Sequence, residues 1–129
     1  MKNLEKNDIV GVAALLVHAA KIDEIYSNDE KSLIKKFIKS YLKDDMEENI
    51  LKEAEEIEKN SNQLLNFTNI IKKNDEETKS DIIKHLWEII ISDKTIDQYE
   101  ANLMRRICGL IYFSDKMSAE IKLKILNSR

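Results

Sequence analysis

The sequence predicts an all-α fold of about seven helices, and three observations carry that prediction. There is no proline in 129 residues, so nothing in the chain blocks a helical hydrogen-bond ladder. Apolar residues recur at spacings of three and four. Ser, Asp or Asn, the residues that cap free backbone N–H groups, stand just before those stretches. The abundance of isoleucine does not turn these segments into strands, because their period is helical.

The first helix is expected from about Asp8 to Lys21, and its nearly continuous apolar run marks a central, buried helix. The second begins at Ser27, where Ser27 and Glu30 have capping-box spacing, and continues to about Leu42. Asp44 with Glu47 repeats that spacing for a third helix ending near Asn60. Ser61 or Asn62 is the expected cap of a fourth, whose stripe is Leu64, Leu65, Phe67, Ile70 and Ile71. Asn74 or Asp75 opens a fifth helix with the densest apolar surface, from Ile82 to Ile91, which should pack beside the first. Asp97 with Glu100 caps a sixth running to about Tyr112, in which Gly109 is read as a point of close packing. Ser114 begins the last, which carries Ile121, Leu123 and Ile125. No linker or composition break divides the chain, so residues 1–129 are read as one domain.

Composition narrows the function classes. Charged residues make up 35% and hydrophobic ones 43%, too apolar for a disordered chain and too polar for a membrane protein. A net charge of -3 argues against a nucleic-acid partner, whose phosphates need a basic field. No run reaches the roughly 20 apolar residues of a membrane span, and the run from Ile9 to Ala20 has acidic Glu5 and Asp8 where a secretory signal is basic. A cytoplasmic location without direct membrane insertion is expected. The single cysteine, Cys108, excludes an intramolecular disulfide or a multi-cysteine metal site and reads as a core residue.

Catalytic patterns are weak. His18 is expected in the core and His85 at a helix-packing or surface position, and neither belongs to a metalloenzyme motif. With only Gly11 and Gly109, the chain has no phosphate-binding glycine loop and no serine-hydrolase elbow. Phe67, Trp87, Tyr112 and Phe113 are assigned to the core. The expectation is a protein that is not an enzyme and has no catalytic residues.

Charge is uneven. The second helix carries Lys31, Lys35, Lys36, Lys39 and Lys43, and the third carries Asp44, Asp45, Glu47, Glu48, Glu53, Glu55, Glu56 and Glu58. They read as electrostatic complements on adjacent helices, or as an acidic surface that steers a basic partner.

An internal repeat is present. Asp23, Ser27, Glu30, Leu33 and the Lys35-Lys36 pair reappear as Asp93, Asp97, Glu100, Leu103 and Arg105-Arg106, at a constant offset of 70 residues. Two helical hairpins related by a pseudo-twofold are implied. Asp23 and Asp93 each follow a helix C-terminus, where a negative charge opposes the macrodipole by about 0.3 to 1 kcal/mol unless compensated. Two compensations are available: free N–H groups at the start of the next helix, or a divalent cation such as calcium or magnesium held by Asp93, Asp97, Glu100 and loop carbonyls.

These residues resemble the TerB-like family, named for bacterial tellurite-resistance proteins, from about Val10 to Leu126. The segments that carry the resemblance are Ala13-Ala14-Leu15-Leu16-Val17 with Lys21 and Asp23, then Leu65, Phe67, Thr68 and Ile71, and then Leu86-Trp87-Glu88. The most specific is Ser92-Asp93 followed by Ile96-Asp97, Tyr99-Glu100, Leu103 and Arg105-Arg106. The resemblance implies an all-helical domain with acidic loops that hold a divalent metal, the carried-over residues being Asp23, Glu30, Asp93, Asp97 and Glu100. It also implies an adaptor in a stress response of the tellurite type, with a protein partner that can be membrane-associated. The alternative is a protein-binding or co-chaperone-like helical module without metal, its loop carboxylates being helix caps. Where the family commonly has Asp-Gly, this chain has Asp23-Glu24 and Asp93-Lys94, and Ser27 stands where Asp is usual. The second loop is therefore the closer fit.

Overall fold

The first helix, α1 (Lys6–Ala20), is hydrophobic on almost every side, with residues from Ile9 to Val17 buried without a break. A helix of that kind must be covered all round, and α1 packs against α2 (Asn28–Tyr41), α3 (Glu47–Asn60), α4 (Leu65–Lys72) and α5 (Glu76–Ile91). The second buried helix is α5, which also contacts α6 (Gln98–Ile111) and α7 (Asp115–Asn127). The structure is a computed structural model that describes residues 4–22, 26–43, 45–61, 63–92 and 98–128. Those residues contain seven helices in the predicted order and no strand.

The core is continuous between the two halves. Leu15 and Leu16 of α1, Ile34 and Phe37 of α2, Ile82 and Leu86 of α5, and Ile107 of α6 have no exposed surface. Each such side chain contributes about 1.5 to 3 kcal/mol of burial. The repeat is visible in the elements: α5 begins at Glu76, 70 residues after Lys6, and α6 begins at Gln98, 70 after Asn28.

Three helix starts follow their predicted caps. Ser27 accepts from the Glu30 N–H, Asp75 from that of Thr78 at 2.8 Å, and Ser114 from that of Met117 at 3.3 Å. Three starts differ. Helix α1 opens at Lys6 behind Glu5, before the predicted Asp8. For α3 the cap is Met46, which makes no side-chain capping bond, so Glu47 is the first helical residue and not the third of a capping box. The cause is Asp45, whose φ of 53° turns the chain immediately before the helix; Asp44 lies outside the described residues. For α4 the cap is Leu64, also without a side-chain bond. Ser61 instead accepts from the Asn66 side chain at 3.1 Å, and Asn62 lies outside the described residues.

The glycine assignment is corrected. A Cβ on Gly109 would meet nothing within 4 Å, whereas one on Gly11 would stand 2.3 Å from Ile70 Cδ1. Close packing belongs to Gly11, where α1 meets α4. Tyr112, expected in the core, is 71% exposed. It takes a φ of 59°, and the Phe113 N–H bonds back to the Cys108 carbonyl at 2.9 Å, a Schellman ending for α6. That turn swings Tyr112 outward and buries Phe113. Phe67 and Trp87 are buried as expected, and the Trp87 indole donates to Ser118 Oγ at 3.0 Å.

Candidate functional site

The predicted acidic positions divide between described and undescribed residues. Asp23, Asp93 and Asp97 lie outside the described residues. Glu30 and Glu100 are described, and both are almost fully buried, at 5% and 3% exposure. Each stands in the first turn of its helix, α2 or α6, one repeat apart. Carboxylates seldom reach such burial unless paired or hydrogen-bonded, because desolvation penalises the charge.

At the first position the compensation is visible. Ser27 donates its backbone N–H to Glu30 Oε1 at 2.8 Å and its hydroxyl to the same oxygen at 3.1 Å. The Glu30 N–H donates to Ser27 Oγ at 3.1 Å, completing the capping box that the spacing predicts. Helix α2 thus begins on a fixed Ser27–Glu30 unit.

Beside it is a network that sequence reasoning did not anticipate. The Tyr26 hydroxyl donates to Glu55 Oε2 at 2.6 Å, and burial together with that bond pushes the phenol's pKa well up. Lys21 Nζ bonds Glu58 Oε1 at 3.0 Å, and His18 Nδ1 lies 3.3 Å from Glu58 Oε2. Lys31 stands over the Tyr26 ring at 4.9 Å. His18 is therefore not the core histidine expected, since 41% of its side chain is exposed. The lysine face of α2 does meet acids of α3 and of the turn before it, through Lys35 with Glu48 and Lys39 with Asp45. Glu55 and Glu58 turn to the end of α1 and to Tyr26 instead. The available signal was the three-residue spacing of Glu55 and Glu58, which puts both on a flank of α3 facing away from its exposed stripe.

The remaining chemistry-bearing side chains sit in packing roles. His85 is 8% exposed, packs edge-on against Phe37 at 5.1 Å between ring centres, and places Nδ1 at 2.8 Å from the Asp81 carbonyl. Asp81 accepts from the Tyr41 hydroxyl at 2.7 Å, tying α2 to α5. Cys108 is buried, and that burial pushes its thiol up, away from the reactive thiolate. Among the described residues no three His, Cys, Asp or Glu side chains converge as a group able to hold a metal ion. Among them, too, no helix is long and apolar enough to cross a membrane.

With seven helices, a 70-residue repeat and buried glutamates at equivalent helix starts in place, the comparison with known families is direct. A sequence profile of the family described as "Tellurite resistance protein TerB" matches residues 10–123. The chain belongs to the TerB family. Comparison with curated proteins and with solved structures gives no significant match. The TerB match spans both hairpins, from α1 into α7, so the two acidic loops and the α3–α4 segment between them all fall inside the family's domain.

Proposed function

We propose that this TerB-family chain acts without catalysis, as an adaptor in a tellurite-type stress response whose partner-binding surface is set by a divalent cation in the α5–α6 loop. The observation that supports the reading is the burial of Glu100 at the start of α6, next to a loop containing Asp93 and Asp97. Three carboxylates supply the hard oxygen donors that calcium, magnesium or manganese prefer. The donor set therefore fits a divalent cation, with Asp93, Asp97 and Glu100 as its ligands, and the bound charge would offset the repulsion among them. The first loop fits less well. Ser27 stands there in the place of Asp97, one carboxylate fewer, so Glu30 and Asp23 are left out of the cation site.

A cation at the second loop would fix the angle between α5 and α6, and through it the surface shown to a partner protein. The positions of Cys108, His18 and His85, each committed to packing or an ion pair, support a role without nucleophile or general base. The second reading, a metal-free protein-binding or co-chaperone-like module, is favoured by the Ser27–Glu30 capping box, which Asp97 and Glu100 would copy.

The test is a thermal-melt titration of metal-stripped protein with calcium, magnesium, manganese and zinc, repeated on Asp93→Asn, Asp97→Asn and Glu100→Gln. The cation reading expects a saturable rise, about 2.7 kcal/mol of stabilisation at a hundredfold excess over Kd, lost in all three variants. A flat response to every metal, with Asp97→Asn costing only the ~1 kcal/mol or less of an altered cap, overturns it in favour of the second reading.

A further inference from the structure

A groove of about 530 Å³ runs between α4 and α6. Leu64, Leu65 and Leu110 supply its apolar lining, and Leu65 is 48% exposed. Arg105 and Arg106 flank it, both exposed, and among the described residues neither has an ion-pair partner. Lys72, at the end of α4, stands over the Tyr112 ring at 4.8 Å, and the one carboxylate of α6, Glu100, is buried. The face is thus basic on a protein whose net charge is -3.

Gly109 lies at the centre of this face, one turn beyond the two arginines. It is helical and exposed, and a Cβ there would touch nothing within 4 Å. No intrachain crowding explains a glycine that weakens the helix relative to alanine. A bare backbone on an exposed helix does let a second helix approach closely, as small-residue interfaces do.

Helix α3 of the same chain has the complementary stripe. Glu53, Glu56, Ile57 and Asn60 are exposed along one side, and Ile57 is a 38% exposed isoleucine. Within its own molecule Ile50, Leu51 and Ala54 hold the core side of α3, while Glu56, Ile57 and Asn60 rim a shallow groove against α1 and α4 and Glu53 stands outside it. The spacings agree: Glu53 precedes Ile57 by four residues, as Arg105 precedes Gly109. Ile57 laid over Gly109 in parallel register therefore places Glu53 at Arg105. The end of α3 at Asn60 adjoins the groove's rim at Gln63, so donor and acceptor surfaces lie next to each other and can be exchanged around a two-fold.

We infer that the α4–α6 groove receives helix α3 of a second copy of this chain, with Ile57 against Gly109 and the leucines and with Glu53 and Glu56 against Arg105 and Arg106, giving a reciprocal dimer. Its charge pairs make association weaken with salt.

Sedimentation equilibrium of the full chain tests this, from roughly 10 µM to roughly 1 mM protein and at roughly 50 mM against roughly 500 mM salt. A monomer–dimer equilibrium is expected, at least about tenfold weaker at the higher salt. Arg105→Glu with Arg106→Glu, and separately Glu53→Lys with Glu56→Lys, should each abolish it while circular dichroism shows an unchanged fold. Mixing the two charge-reversed proteins should restore a dimer, because each of its two contacts then pairs opposite charges. A chain that stays monomeric throughout overturns the inference, leaving the groove for a foreign acidic helix. So does a dimer that neither charge reversal disturbs, or one that the mixture fails to restore.

Discussion

Thr68 in α4 has no exposed surface, and its Oγ1 is buried without a hydrogen-bond partner. A hydroxyl removed from water without compensation costs about 1 to 3 kcal/mol. Valine has nearly the same shape, the same branching at Cβ and a similar helix propensity. Thr68→Val should therefore stabilise the protein by about 1 to 2 kcal/mol, keeping the packing and removing the polar atom. For a chain of 129 residues the unfolding entropy, at about 2.1 cal/mol/K per residue, converts 1 kcal/mol into roughly 4 °C of Tm. The expected shift is thus roughly 4 to 7 °C upward. Urea denaturation at unchanged m-value, with calorimetry for Tm, measures it. Thr68→Ala serves as control, since it removes the hydroxyl and a methyl together and should lose most of the gain to the cavity left behind. A Thr68→Val protein that is less stable than the parent would refute the reasoning, because it would show that the hydroxyl is bonded to a carbonyl of its own helix or to a buried water.

Other expectations follow from single contacts. Gly109→Ala should raise monomer stability by about 0.5 to 1 kcal/mol. Gly11→Ala should change it little, since the helix gain is offset by moving the Ile70 side chain out of a 2.3 Å clash; paired urea melts compare the two. Ser118→Ala leaves the buried Trp87 indole N–H without its acceptor and should cost about 1 to 3 kcal/mol, with an altered native tryptophan emission. The bond from the Thr78 N–H holds Asp75 below its ordinary pKa of 3.8. Its stabilising contribution is complete above that value and is lost as the pH falls through the lower folded one. Asp75→Asn should flatten that part of the stability profile, measured by thermal melts between about pH 2 and pH 6.

The elements were legible where a local rule acts alone. Ser27, Asp75 and Ser114 cap their helices because the capping bond spans only three residues, and the sequence contains both of its ends. The rule failed at Asp44–Glu47, where the left-handed turn at Asp45 shifts the helix start, and at Ser61, whose hydroxyl is engaged by Asn66. At the candidate site the repeat alone located Glu30 and Glu100. Their near-complete burial, and the engagement of Tyr26 with Glu55 and of Glu58 with Lys21 and His18, join residues 29 to 40 positions apart. No local pattern encodes such pairs.

By itself, the sequence determined the all-α class, the order of seven helices, the 70-residue repeat and membership of the TerB family, because periodicity, caps and motif spacing are properties of neighbouring residues. Only the tertiary structure decided which of two glycines is a contact and which an opening, that His18 is half-exposed and Tyr112 faces outward, and that an arginine-flanked groove and an acidic stripe share one chain. Those outcomes depend on how helices cross and on which side chain reaches which neighbour. Hydrophobic pattern fixes the buried side of a helix, but the partner it meets there is set by the packing of the whole core.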